Sequence, residues 1–72
     1  MHISYWARRR VIREILLKAY EEGLTMNELL QIGLPQGFSA RAIGRIIEEL
    51  TAAKLLERLD DGKSRVKWRS TR

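Results

Sequence analysis

Residues 50–69 read LTAAKLLERLDDGKSRVKWR, and within this stretch the periodicity of the chain changes from helical to alternating. Leucines precede an Asp-Gly pair, which between two apolar runs is a strong signal for a β-hairpin turn. Beyond the turn, Val66 and Trp68 alternate with basic residues. The pattern predicts a two-stranded antiparallel ribbon over residues 55–59 and 64–69.

The N-terminal part of the chain has the periodicity of an amphipathic helix. Its apolar residues recur at the spacing of one helix face. They are Val11, Ile12, Ile15, Leu16, Ala19 and Tyr20. The Ser4 hydroxyl can cap the first turn and Gly23 can end the last turn. We therefore predict helix one over Tyr5–Glu22.

Two shorter segments also carry helix signals. Thr25 and Glu28 have the spacing of a capping box, and Gly33 with Pro35 ends this second helix after about two turns. Ser39 is a second clear capping residue, and it opens helix three. The apolar face of helix three is predicted to contain Ile43, Ile46, Ile47, Leu50 and Ala53, and the opposite face Arg41, Arg45, Glu48 and Ala52.

The order helix, helix, helix, hairpin resembles the winged helix-turn-helix architecture over nearly the whole chain. The resemblance implies a fold that is mainly α with a small β-hairpin: three helices plus a two-stranded antiparallel wing. Leu50–Arg58 followed by Asp61-Gly-Lys63 is similar to the end of the recognition helix, the first wing strand and the wing tip of MarR-like regulators. Those proteins usually have glycine where this chain has Lys54, and a non-glycine residue there has a modest cost if the turn needs a positive φ.

A narrower similarity links the chain to small winged-helix proteins of Mu-like phages. It is carried by Arg9–Ile12, Asn27–Leu30, Ser39, Ile43 and Leu50. This similarity implies a phage or prophage regulator rather than a metabolic enzyme.

The net charge of +5, from 14 basic and 9 acidic residues, is unevenly distributed. Residues 54–72 contain seven basic and three acidic residues, with no acid after Asp61, whereas residues 23–53 are slightly acidic. A basic C-terminal end favours a polyanionic partner, here double-stranded DNA, although a merely solvated surface has the same composition.

Helix three is the expected reader of DNA, because helix-turn-helix proteins place the start of this helix in the major groove. Ser39, Arg41 and Arg45 lie there, and arginine can bridge the O6 and N7 atoms of guanine. Gln36 and Ser39 are expected to contact phosphate near the positive end of the helix, and Gly44 leaves room for close approach by DNA or by helix two. The alternative is an ordinary solvated face, in which the arginines pair with Glu28, Glu48 or Glu49.

The predicted second wing strand has cations at a period of two. They are Lys63, Arg65, Lys67 and Arg69. A regular strand places all four on one face, about 6–7 Å apart, which is the scale of successive phosphates. Val66 and Trp68 then face the core. The alternative function of such a row is a charged edge strand that prevents aggregation.

Length and composition exclude several function classes. With 72 residues, the chain is expected to be a single domain over residues 1–72, without room for a separate sensor domain. Cysteine is absent and His2 is the only histidine, so we expect neither enzyme activity nor a metal or other cofactor. No apolar run approaches the roughly 20 residues of a membrane span, and we expect a cytoplasmic protein without a membrane partner.

Tyr5 and Trp6 lie at the start of helix one. They can complete the core or form a homodimer through the N-terminal helix, and we expect one of them in the core.

The function favoured by these patterns is a small DNA-binding transcriptional regulator. The alternative is a winged-helix module for protein–protein contact without specific DNA readout.

Overall fold

Helix α1, at Tyr5–Lys18, opens the fold in this computed structural model, which describes residues 4–63 and 65–71. Ser4 caps the helix as predicted, because its hydroxyl oxygen accepts a hydrogen bond from the amide of Ala7 (3.1 Å). This bond satisfies one of the amides that the first helical turn leaves without a partner.

The predicted end of this helix at Glu22 is wrong, since α1 ends at Lys18. The reason is a residue more than fifty positions further along the chain. The Ser70 hydroxyl donates to the carbonyl of Leu16, and the Ser70 amide donates to the carbonyl of Ala19 (3.0 Å). The last carbonyls of α1 are thus satisfied by the sheet rather than by another helical turn.

A three-stranded antiparallel sheet takes the place of the predicted two-stranded ribbon. Strand β2 (Leu56–Asp60) and strand β3 (Val66–Ser70) begin and end one or two residues later than predicted. Ser64, the predicted first residue of the second wing strand, lies outside the described residues. A two-residue strand β1 (Leu24–Thr25) pairs with the other edge of β3, which gives the order β1-β3-β2.

Gly23 does not end the first helix as predicted, but it permits the pairing of β1. It has a φ of +84°, and a Cβ at this position would lie 2.9 Å from the carbonyl oxygen of Trp68. A side chain here would therefore separate β1 from β3.

The second and third helices are α2 (Met26–Gly33) and α3 (Ala40–Ala52), and a 3₁₀ turn at Leu34–Gln36 joins them. Both predicted caps are confirmed. In the capping box, the Thr25 amide donates to Glu28 Oε1 (2.8 Å), and the Thr25 hydroxyl accepts from the Glu28 amide (3.3 Å). Ser39 accepts from the amide of Ala42 (3.0 Å).

The core lies between the three helices and one face of the sheet. Its buried apolar residues are Val11, Ile15, Ala19, Leu29, Ile32, Phe38, Ile43, Ile46, Ile47, Leu50 and Leu56. Trp68 packs against this cluster, as predicted for its face of β3. Two residues that we predicted on the apolar faces are exposed, Tyr20 and Ala53, because each lies beyond the end of its helix.

The expectation that Tyr5 or Trp6 completes the core is wrong. Tyr5 is 65% and Trp6 68% exposed. Val11 and Ile15 define the buried side of α1. Trp6 is five residues before Val11 and lies about 140° away from it around the helix. The two rings therefore remain on the solvent side of α1.

The sequence of elements is that of a winged helix-turn-helix, so the predicted fold class is confirmed. Three helices precede the β2–β3 wing, and β1 adds a third strand. Lys54 turns the chain from α3 into β2 with a φ of +64°, so the turn does need a positive φ at this non-glycine residue. None of the described helices is long and apolar enough to cross a membrane.

Candidate nucleic-acid interface

Arg41 and Arg45 lie on the solvent side of the first two turns of α3, as the helical spacing predicts. Together with Arg8 of α1, they line an open cavity of about 580 Å³ beside the start of α3. Ser39 lies at the same cavity, and the apolar side chains of Phe38, Ala42 and Ile46 also line it. Glu49 lies at the same cavity beside Arg8, so the positive potential of the depression comes from Arg41 and Arg45.

Two of the three glutamates that could pair with these arginines have other partners, and Glu48 forms no ion pair with a described residue. Glu49 forms an ion pair with Arg8, and Glu28 is held in the capping box by Thr25. Among the described residues, neither Arg41 nor Arg45 forms an ion pair. The solvated face with arginine–glutamate pairs is therefore not observed in this part of the chain.

Gln36 is held inside the protein rather than directed at solvent. Its Nε2 donates to the carbonyl of Ile32 (2.9 Å) and to Glu14 Oε1 (3.3 Å), and Glu14 also accepts from Lys18 Nζ (3.1 Å). These bonds fasten the 3₁₀ turn to α2 and α1. Both amide hydrogens of this side chain are thereby occupied, which disfavours the predicted phosphate contact.

Gly44 faces open space, not helix two. A Cβ added at Gly44 would have no neighbour within 4 Å. The residue lines a mainly apolar groove of about 520 Å³ between α3 and the sheet. Met26, Trp68 and Arg58 lie on the other side of this groove.

Arg58 is a candidate contact residue to which the sequence patterns assign no role. In the strand register it lies opposite Trp68, which places both side chains on the face of the sheet that α3 covers. Its only described ion pair, to Asp60, is long at 3.7 Å and exposed. Pairing the predicted strands around a two-residue Asp61-Gly62 turn would place Arg58 opposite Arg65 instead, so the position follows only from the observed register.

The strand register separates the cations of the wing. Lys67 pairs across the sheet with Leu59, and Arg69 pairs with Glu57, so both lie on the face opposite Trp68. The predicted alternation of basic and apolar faces in β3 is confirmed for these positions. Arg69 Nε donates to Glu57 Oε1 at 2.9 Å, so a carboxylate already neutralises this cation.

Lys63 and Arg65 lie before β3, outside the regular strand that we predicted for all four cations. Both are exposed, whereas Lys67 is half-buried. Arg65 and Lys67 line a cavity of about 590 Å³ with the start of α2. The wing therefore presents its most accessible cations at its tip.

Glu28 lies beside Arg65 and Lys67 at the cavity between α2 and the wing. The hydrogen bonds from the backbone amide and the hydroxyl of Thr25 hold the pKa of Glu28 below its ordinary value, and the charges of Lys67 and Arg65 lower it further. The carboxylate stays ionised at neutral pH and offsets part of the positive potential between α2 and the wing.

Within residues 4–63 and 65–71, no group of three or more histidine, cysteine, aspartate or glutamate side chains is placed to hold a metal ion. The exposed arginines of α3 form one cationic surface, and the exposed Lys63 and Arg65, whose charge Asp60 and Asp61 partly offset, form another. Both suit a polyanion.

Comparison with known proteins identifies a fold relative but no family. No protein-family model and no curated protein matches the chain. Among solved structures, the chain is similar to a ferric uptake regulator from Francisella tularensis determined with iron, with a TM-score of 0.71 and 14% sequence identity. The match covers 97% of this chain and 53% of the regulator, so the chain spans about half the length of that protein. At this identity the likeness supports the winged-helix fold alone, and the MarR-like and phage similarities stay predictions.

Proposed function

We propose that this chain is a double-stranded-DNA-binding module of a transcriptional regulator, with α3 in the major groove and the wing on the phosphate backbone. The observation that carries the proposal is the pair Arg41 and Arg45. Both are exposed on the first two turns of α3, and no described carboxylate pairs with them. In a winged helix these turns are the ones that meet base edges.

The contact of α3 is limited to its N-terminal half. Arg41 and Arg45 are one turn apart and can each bridge a guanine, while the exposed hydroxyl of Ser39 can donate to a phosphate. Glu48 follows on the same exposed side. Its carboxylate would approach the phosphates if the helix entered more deeply, and this repulsion sets the depth of insertion.

The wing supplies non-specific affinity. Lys63, Arg65 and Lys67 are the wing cations that we assign to phosphates, and Arg58 adds a fourth on the α3 side of the sheet. We leave out Arg69, because Glu57 already pairs with it. Such contacts raise affinity for all sequences and make it fall with salt.

We further propose a cytoplasmic regulator of prokaryotic or phage type. The support is the similarity of the core and cap positions to small phage proteins, together with a fold relative that is itself a regulator. Function as a protein-contact module without DNA readout is the competing proposal.

The test is fluorescence anisotropy with a randomised duplex pool and then with the sequences that it selects, between about 50 and 200 mM salt. We expect log Kd to depend steeply on log salt. Arg65→Gln should reduce the slope by about 1, whereas Arg69→Gln removes the same charge and should change it less, since Arg69 is paired. Arg41→Gln should relax sequence preference at one position, at a cost of about 1–3 kcal/mol on the preferred duplex.

Two outcomes would contradict the proposal. The first is absence of duplex binding at low salt. The second is unchanged affinity in an Arg41→Gln, Arg45→Gln, Arg65→Gln triple variant that folds normally. An equally large reduction of the slope in Arg69→Gln would instead place Arg69 on a phosphate as well.

A further inference from the structure

The solvent side of α1 is a second surface with an unusual composition. We call it the aromatic–arginine face; its members are Tyr5, Trp6, Arg9, Arg10, Arg13 and Leu17. Its apolar members are about two thirds exposed: Tyr5 is 65%, Trp6 68% and Leu17 66% exposed. This face is opposite the side of α1 that packs into the core. Tyr5 and Trp6 are neighbours, and Leu17 lies about three turns further along the same helix face. Large apolar side chains that share one exposed face mark interaction sites more often than isolated ones do.

The N-terminal end of the face is ordered by its own contacts. The Tyr5 and Trp6 rings meet edge to face, with centroids 5.3 Å apart and planes at 78°. The Arg9 guanidinium lies over both rings, 5.8 Å from the Tyr5 centroid and 5.6 Å from the Trp6 centroid. An arginine held this way loses less freedom when it binds a carboxylate.

The arginines of the face lack acidic partners. Arg9, Arg10 and Arg13 form no ion pair with any described residue, whereas Arg8, on the core-facing side of the same helix, pairs with Glu49. With Trp6 they line a depression of about 310 Å³. An occupant that is both acidic and apolar would neutralise the three cations and cover the apolar groups beside them.

A second copy of the chain does not fit this requirement. A twofold interface places the same patch on both subunits, so two aromatic–arginine faces would bring six guanidinium groups together without a carboxylate between them. Like charges in contact oppose association. The homodimer through Tyr5 and Trp6 is thus disfavoured by charge.

Neither a lipid surface nor a nucleic acid covers the whole face. Interfacial helices segregate apolar from basic residues, but here Leu17 lies between Arg10 and Arg13 around the helix, so inserting Leu17 would bury guanidinium groups. Nucleic-acid phosphates could meet the arginines but would leave Leu17 in water. Arg9 occupies one face of each ring, and bases stacked on the open faces would still leave Leu17 in water.

We propose that the aromatic–arginine face binds an acidic segment of another protein, whose carboxylates meet Arg9, Arg10 and Arg13 while its apolar side chains cover Trp6 and Leu17. Tryptophan, tyrosine and arginine are the residues most enriched at interface hot spots. This function goes beyond DNA binding and uses none of the residues assigned to it, so a chain that fails to bind DNA can still bind the segment.

The test is an NMR titration of the full chain with a synthetic peptide of repeated Asp-Leu-Glu-Phe units. Amide shifts should centre on residues 5–17 and include the Trp6 indole. Two control peptides separate the contributions of charge and of apolar contact. In one, Asn and Gln replace the acids, and in the other, Ser replaces Leu and Phe. Each should bind at least about tenfold more weakly than the acidic peptide, since the occupant needs both carboxylates and apolar side chains.

Variants of the chain provide the second arm. Arg10→Gln with Arg13→Gln should weaken the acidic peptide about tenfold, and so should Trp6→Ser. Arg41→Gln with Lys63→Gln removes the same number of charges from the DNA surface and should change peptide affinity much less. All these positions are exposed, so the variants are expected to fold.

Several results would overturn the proposal. They are shifts confined to residues 39–45 and 63–67, equal binding of the serine peptide, or no shift at millimolar peptide. Binding of oligo(dT) or of phosphatidylserine vesicles to α1 that is tighter than binding of the acidic peptide would also overturn it. So would self-association in sedimentation that Trp6→Ser abolishes, which would identify a second copy as the occupant.

Discussion

Lys54 ends α3 in a backbone conformation that glycine adopts more readily. The Lys54 amide bonds to the carbonyl of Thr51 (3.0 Å) and the Leu55 amide to the carbonyl of Leu50 (2.9 Å), which is the hydrogen-bond pattern of the Schellman motif. Lys54 occupies the left-handed position of that motif, with a φ of +64°. The site thus carries strain that comes from the identity of one residue.

Lys54→Gly should raise the free energy of unfolding by roughly 0.5–1 kcal/mol, because relief of the left-handed strain exceeds the entropy that glycine adds to the unfolded chain. Urea denaturation measures this. Lys54→Ala controls for the lost charge and should not raise the free energy of unfolding. Ala53→Gly, at a φ of −79°, should lower the free energy of unfolding. If Lys54→Gly proves neutral or destabilising, the turn is not strained by its side chain.

Glu28 gives the domain a pH-dependent contribution to stability. Its pKa is lowered in the folded state, first by the amide and hydroxyl of Thr25 and then by Lys67 and Arg65. The contribution is therefore present above the pKa of an unfolded glutamate, about 4.3, and is lost as pH falls through the lower folded value. The free energy of unfolding should decline below about pH 4 less steeply in Glu28→Gln than in the parent chain.

NMR titration of the Glu28 carboxyl gives the direct check on this sign. Its midpoint should lie below about 4.3, and Thr25→Val should move it upward because the hydroxyl bond is lost. A midpoint at or above the ordinary value would show that the capping box does not favour the ionised form.

At the scale of the elements, two glycines of similar sequence context have opposite surroundings. Gly33 ends α2 where it crosses α3, and a Cβ there would lie 2.6 Å from Cγ1 and Cδ1 of the buried Ile43. Gly44 lies within α3 and faces open space. The first glycine permits close helix packing, and the second only weakens its own helix.

Gly33→Ala should therefore lower the free energy of unfolding by about 1–3 kcal/mol, through overpacking against Ile43. Gly44→Ala should raise it by about 1 kcal/mol, the helix-propensity difference, because Gly44 is half-buried but an added Cβ there meets no neighbour. Thermal and urea denaturation of the two variants measure both changes in the free energy of unfolding. Equal effects would mean that α2 and α3 do not approach each other closely at Gly33.

Those elements that carry local signals could be predicted from the sequence. Ser4, the capping box at Thr25 and Ser39 each start a helix where predicted, because a cap acts over only three or four residues. The end of α1 and the strand β1 could not be predicted, since both depend on contacts with β3 far along the chain. β1 has only two residues, too few to show an alternating pattern.

The same distinction holds for the candidate site. The exposure of Arg41 and Arg45 follows from helix periodicity, so the sequence predicts it. The bonds that hold Gln36 and Arg69 depend on which elements become neighbours, and periodicity does not contain that information. The exposure of Trp6 does follow from helix periodicity, and the expectation of a core aromatic is wrong because it rests on residue type alone.

At the scale of the whole molecule, Ser70 couples the wing to the helical core. It is the buried last residue of β3, and both its hydroxyl and its amide bond to carbonyls at the end of α1. A domain of this size has a small core, so such a connection is a substantial part of its stability. The helices and the sheet should therefore unfold together.

Ser70→Ala should lower the free energy of unfolding by about 1–3 kcal/mol, because it leaves the Leu16 carbonyl without its hydroxyl partner. Helix loss by circular dichroism and fluorescence of Trp68, in a Trp6→Phe background, should still give coincident transitions, since the Ser70 amide keeps its bond to Ala19. Ser70→Pro removes that amide too and should make the Trp68 transition precede helix loss. If Trp68 unfolds before the helices in the parent chain, the wing is an independent unit. Its cations could then bind phosphate without changing the position of α3.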